Sequence, residues 1–277
     1  MYFCNFKQNN FTNSFRSAIY GLYMIVVTLK ELFMDFKRIE RYDTSVVKVV
    51  PFSRTGMTFK GWDISFGNMN PEFPVTFFGH KYPCPEYVYI SGFYGKNDAK
   101  CIEIQKDIKN HVGGAKTLKS KYRKNQEYTQ YGRMDFDNEE WRFHLMLYAV
   151  WLKCKQNRQF ANMLLAIPDD YVILENQNGF HGWELADWGC KNREAHKAYM
   201  QANKQITASN ATGIGKLRDE AKLKACQTGV WEGMNHQGKI LMACRAALRK
   251  CTAPPIDYEL LNKAKIYLFG ELLQFGE

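Results

Sequence analysis

The segment Gly233-Met234-Asn235-His236-Gln237-Gly238 makes the strongest local argument for chemistry in the chain. Two glycines let backbone approach a ligand closely, Asn235 can cap a helix beginning near Gly238, and N–H groups at that helix start would face a phosphate. Arg245, two turns further on, is placed to reach the same face or an acidic partner. A plain Asn-capped helix with a glycine for close packing would read the same way. Glu86 follows Pro83-Cys84-Pro85, which stiffens its approach into a helix, and a first-turn glutamate there also complements the helix dipole. No GxxxxGK(S/T), GxGxxG, HExxH or GxSxG signature is present. The six histidines, at 80, 111, 144, 181, 196 and 236, lack metal-ligand spacing, so no metal or other cofactor is expected.

The elements that must position these residues read as helix-rich α+β with a small antiparallel sheet. Ser45 to Phe52 and Phe73 to Phe78 are β-branched or aromatic runs bounded by Pro and Gly, the pattern of strands. From Pro85 onward the pattern is helical. Trp141, Leu145, Tyr148 and Leu152 recur at spacings of 4, 3 and 4, one helical stripe behind an acidic run that suits a helix N-terminus. Further helices are expected over Phe160 to Ile167, around Leu241 to Leu248, and from Tyr258 to Phe275 after Pro254-Pro255.

With 277 residues and 45% hydrophobic content the chain is too apolar for a disordered one. Eight cysteines without a Cys-x-x-Cys pair fit reduced thiols in a cytosol-like compartment, the host cytosol if the protein is viral. The apolar run Ala18 to Leu29 is short of the ~20 residues that span a bilayer, so no stable membrane association is expected. Residues 1–44 read as an N-terminal helical extension, and Met34 would itself serve as a start, leaving 1–33 as an appendage. Residues 45–277 read as one domain.

A formal net charge of +10 favours polyanionic partners. It concentrates in two stretches: 106–124 carries seven Lys/Arg against one acid, and 191–224 carries eight against three. Neither shows a clear apolar stripe. They read equally as solvated surface or as walls that hold a phosphate backbone by Coulomb attraction.

A set of short pieces in fixed order resembles the NADAR superfamily, the group containing the bacterial YbiA-like proteins. The family pattern runs FSNF, WPTxEHxxQAxKF, a Trp-led helix ending KF, LLxT, LxE, a Trp-Gly pair and GxNxLGxLLMxxR. Here the counterparts are Phe66-Gly67-Asn68, Tyr82 to Tyr87, Trp141 to Met146 continuing into Leu152-Lys153-Cys154, Leu164 to Pro168, Leu174-Glu175, Asp187-Trp188-Gly189, and Gly233 to Arg245. The match spans roughly 50 to 250. Tyr87 stands where the family has His, and the lysine of QAxKF is missing around Ile90 to Phe93. Leu185 occupies the usual acidic offset before Trp-Gly, with Glu184 and Asp187 on either side. Insertions at about 97–136 and 191–229 exceed the usual length, which suggests a divergent member.

The resemblance implies an N-glycosidase, acting either on ADP-ribosylated guanine in nucleic acid, in the manner of antitoxins that reverse DNA ADP-ribosylation, or on a phosphorylated ribosylaminopyrimidine intermediate of riboflavin synthesis. The net charge of +10 and the two basic insertions favour the nucleic acid; the missing His and Lys of the Glu86 motif would instead suit a silent module that binds ADP-ribose or nucleic acid. Cleaving C1′–N passes through an oxocarbenium-like state, so a carboxylate must stabilise that charge or deprotonate water, and a donor must help the base depart. The resemblance implies Glu86 as the first carboxylate and leaves the second open between Asp187 and Glu184. Trp141 and Trp188 are implied as stacking walls. Asn68, Lys153, Gly189, Gly233, Asn235, Gly238 and Arg245 are implied as ligand contacts, and everything then depends on Glu86 and the Asn235 segment meeting at one cavity.

Overall fold

The computed structural model describes residues 35–53, 56–178, 185–209 and 212–276. The expected helix over Ala18 to Leu29 lies outside them. The chain folds as helix-rich α+β around the helix Trp141–Gln156, against which pack the helices Pro85–Phe93, Arg158–Ala166, His236–Lys250 and Tyr258–Lys263. The central helix is buried on more than the expected stripe: Phe143, Met146, Leu147, Val150 and Cys154 are buried with Trp141 and Leu145, while Tyr148 and Leu152 are only half-buried. A helix enclosed by neighbours on most sides has no single apolar face to read from its sequence. Gly92 permits the closest crossing, since a Cβ there would lie 2.3 Å from the Leu145 side chain.

The sheet differs from expectation. Lys48–Phe52 does not pair with the 73–78 run; it pairs in parallel with Tyr171–Glu175, Lys48 opposite Tyr171 and Phe52 opposite Glu175. Both strands are largely buried, and Val49-Val50-Pro51-Phe52 is continuously apolar as a covered parallel strand should be. Val75–Phe77 instead forms a hairpin with His80–Tyr82. Residues 35–43, expected in a helical extension, include the strand Glu40–Asp43, antiparallel to Val230–Gly233, and Phe36, which stacks on Phe143. Bridges from Asn176 to Cys190 and from Lys191 to Glu232 tie this ladder to the parallel one.

The two basic insertions are unlike each other. The first forms the helices Ala99–Lys109 and Gly114–Lys124 and does have an apolar side, burying Cys101, Ile104, Ile108, Leu118 and Tyr122 in the main core. The second forms the helices Arg193–Ala208 and Ile214–Ala225, which pack on each other and bury fully only Ala195 and Ala225. The long C-terminal helix expected from Tyr258 to Phe275 stops at Lys263. A hairpin, Tyr267–Leu268 with Glu271–Leu272, follows; its two-residue turn Phe269-Gly270 has φ of 52° and 91°, the doubly left-handed turn that matches strand twist.

Candidate functional site

A cavity of about 370 Å³ opens where five of these elements meet. That size is within the range of small-molecule sites. The helix Pro85–Phe93 contributes Glu86 and Tyr89, three residues apart and therefore on one face. Pro85 supplies the fixed φ of a first helical position, and Glu86 takes the first turn. The end of the strand Tyr171–Glu175 brings Glu175, and the start of the helix His236–Lys250 brings Gln237. Trp188 closes one wall, and the loop at Gly67-Asn68 forms another.

Two carboxylates therefore face one space. Glu86 is 6% exposed; its N–H donates to the Asn68 carbonyl at 3.2 Å, and its Oε1 lies 3.5 Å from Lys119 Nζ. Glu175 accepts from the Gln177 side-chain amide at 3.0 Å. Burial pushes the Glu175 carboxyl up to about 7; the Gln177 donor and Lys119 oppose this, and the negative Glu86 reinforces it. The outcome is a proton-holding carboxyl and a lysine-paired one in the same cavity, the division of labour that acid–base chemistry at neutral pH requires.

The floor is fixed by polar side chains with defined partners. Asn68 and Gln237 exchange side-chain amide hydrogen bonds in both directions, joining the 67–70 loop to the helix start. Behind them Lys153 is fully buried, and its Nζ donates to the Gly67 carbonyl at 3.1 Å. Desolvation lowers its ammonium to about 8. Lys153 thus holds the loop from beneath, lies close to the Phe160 ring at 4.0 Å, and does not line the cavity. On the aromatic side, Trp188 meets Tyr89 edge-on at 5.3 Å and rests on Phe143 and His236. His236 is pushed down to about 4 by burial, so it is a neutral packing group behind the tryptophan.

Of the residues singled out in the sequence, Glu86, Asn68 and Trp188 meet at the cavity. Others do not. Asp187 is exposed and acts through its carbonyl, which accepts the His236 N–H. Glu184 lies outside the described residues. Trp141 is 2% exposed, with its ring against Phe136 and beneath the Arg133 guanidinium, so it is core and not a stacking wall.

The Asn235 segment overturns the expected phosphate site. The N–H groups of Met234, Asn235, His236 and Gln237 already donate to the carbonyls of Ala186, Gly189, Asp187 and Trp188. Asn235 does not cap the helix with its side chain; it sits in the left-handed region at φ 50°, fully buried, and its amide donates to the Ile173 carbonyl at 3.0 Å. Its glycines serve contact between main chains. A Cβ on Gly233 would lie 2.2 Å from the Gly189 carbonyl oxygen, one on Gly189 2.2 Å from that of Glu175, and one on Gly238 2.1 Å from that of Ile173. Arg245 is 5% exposed and clamps a loop, donating to the carbonyls of Pro168 at 2.9 Å and Tyr171 at 3.1 Å.

Glu175, Gln237, Tyr89 and Lys119 are among the lining residues that the sequence does not mark as a site. The first two lie inside the quoted motifs, and Lys119 lies in the first basic stretch. Tyr87, at the position of the family's histidine, turns away, and its hydroxyl donates to the His111 carbonyl at 3.2 Å.

Fold and cavity together define an α+β protein with a single space shared by two carboxylates, an amide pair and an aromatic edge. The NMR structure of the E. coli protein YbiA is similar, with 16% sequence identity and a TM-score of 0.37, over 65% of this chain and 85% of that one. YbiA belongs to the NADAR family, the one that the sequence motifs resemble. That likeness attaches no role to any residue of the cavity. No family model matches the chain, and no curated protein matches it. No helix among the described residues is long and apolar enough to cross a membrane.

Proposed function

We propose that the protein is an N-glycosidase that removes ADP-ribose from guanine in nucleic acid. The observation that carries this reading is the pairing of Glu86 and Glu175 across one cavity, one beside a lysine and the other pushed up to about 7. Glu86, as carboxylate, takes a proton from water as the water oxygen bonds to C1′. Glu175 gives its proton to the departing nitrogen, which keeps the electron pair of the broken C1′–N bond. Trp188 and Tyr89 offer ring edges and faces against the base. The Asn68–Gln237 pair can turn its amides toward sugar hydroxyls once a ligand competes for them.

The polymer enters the reading through the insertions. Lys119, from the first, reaches Glu86, and Lys222, from the second, donates to Ser53 Oγ at 2.9 Å; Glu86 and Ser53 both line the cavity. The two most basic stretches of the chain therefore converge on one opening. Cytosolic residence fits the reduced thiols of the buried cysteines.

The test is an oligonucleotide carrying ADP-ribosylated guanine, incubated with wild-type protein and with Glu86→Gln and Glu175→Gln. Release of ADP-ribose by the wild type and a loss of about 10²- to 10⁴-fold in each variant supports the reading. Tight retention of uncleaved substrate by the wild type would instead identify a binding module. Turnover of the ribosylaminopyrimidine phosphate alone would identify a small-metabolite glycosidase.

A further inference from the structure

We infer that Lys119 and Lys222 form a phosphate-binding mouth over the cavity, taking the diphosphate of a nucleotide sugar. This inference rests on the glycosidase reading and adds to it the place of the phosphates, which the Asn235 segment does not provide.

Three observations lead to it. First, the helix start that would ordinarily cradle a phosphate has its amides occupied: Met234 to Gln237 all donate to carbonyls of 186–189. Second, the interior repels an anion, because Glu86 and Glu175 both line it and Lys119 is the sole cationic side chain among its described lining residues. A diphosphate must therefore remain at the rim while the sugar enters. Third, the rim has the needed cations on opposite insertions. Lys119 sits on the helix Gly114–Lys124 with its side chain 42% exposed, and half-buried Lys222 sits on the helix Ile214–Ala225.

The Glu86 contact of Lys119 is one that a phosphate can share: its Nζ stands 3.5 Å from Glu86 Oε1, longer than a well-formed charged hydrogen bond, and Lys222 Nζ donates to the Ser53 hydroxyl at the cavity edge. A diphosphate, with one negative charge on each phosphate, gains the Coulomb attraction of both lysines at the mouth while Lys119 stays beside Glu86 and keeps its carboxylate charged.

The experiment measures binding of ADP-ribose and of guanosine, by tryptophan fluorescence or calorimetry, to wild type, Lys119→Gln, Lys222→Gln and Lys119→Arg. ADP-ribose affinity should fall at least tenfold in each Gln variant and weaken less steeply with salt than in the wild type. Lys119→Arg should restore most of it, and guanosine binding should be unaffected. Equal weakening toward both ligands, no weakening, or failure of the wild type to bind ADP-ribose overturns the inference. The two readings fail separately: phosphate-dependent binding without cleavage of the modified oligonucleotide removes the glycosidase and keeps the mouth, whereas cleavage indifferent to both lysines does the reverse.

Discussion

Glu86 and Asn235 are buried to similar depth, each at the start of a helix, and their surroundings differ in one respect: what their polar atoms meet. The Glu86 carboxylate faces a cavity and a half-exposed lysine. The Asn235 side-chain N–H donates to the Ile173 carbonyl, its backbone N–H donates to the Gly189 carbonyl, and the neighbouring N–H groups are likewise paired with protein, while its side-chain oxygen is buried away from the cavity without a hydrogen-bond partner among the described residues. A buried polar group whose partners are all protein contributes to stability, because removing one partner leaves the other unsatisfied. A buried polar group that lines a cavity is available to a ligand. Burial alone does not separate the two.

The comparison is most strongly tested at its extremes. Glu175→Gln and Glu86→Gln should reduce ADP-ribose release by about 10²- to 10⁴-fold with little change in melting temperature. Asn235→Ala should do the opposite, costing ~1–3 kcal/mol in urea unfolding while the folded fraction keeps its turnover. Loss of turnover in fully folded Asn235→Ala would break the distinction. Arg245→Met removes a guanidinium from the carbonyls of Pro168 and Tyr171 and should cost about 2–3 kcal/mol of stability, again read by urea unfolding. Trp188→Ala should weaken binding of a base-bearing ligand by ~1–3 kcal/mol, measured as a shift in dissociation constant.

A smaller effect sharpens the account of Glu175. Its carboxyl holds a proton more tightly in the folded chain, about 7 against an ordinary 4.5, so its contribution to stability is full below 4.5 and is lost as pH rises through 7. Unfolding measured from pH 5 to pH 8 should therefore lose stability with rising pH in the wild type, and Glu175→Gln should flatten that slope.

How much of this was legible in the sequence differs by element. The helices over 141–156 and 158–166 follow from apolar spacing, and Pro85 marks a helix start by its fixed φ. Pairing was not legible. Val49-Val50-Pro51-Phe52 reads as a strand, and nothing in it names Tyr171–Glu175, some 120 residues away, as its parallel neighbour. Glu175 stands in a Leu-Glu dipeptide that carries no signal of its own, and only the parallel register brings it to the cavity. Trp141 misled because a tryptophan on a helix reads alike in core and site. Phe269-Gly270 marks a turn that an apolar 18-residue run concealed, and Asn235 misled because the carbonyls of 186–189 that take its neighbours' amides come from a remote loop.

The central claim is that Glu86 and Glu175 act as one acid–base pair, and the pH–rate profile of ADP-ribose release from the modified oligonucleotide tests it most directly. The account predicts a rate that declines as pH rises through about 7, and a Glu175→Gln variant with a much lower rate in which that decline is gone. A Glu175→Gln variant that turns over at the wild-type rate with the same alkaline limb would contradict it.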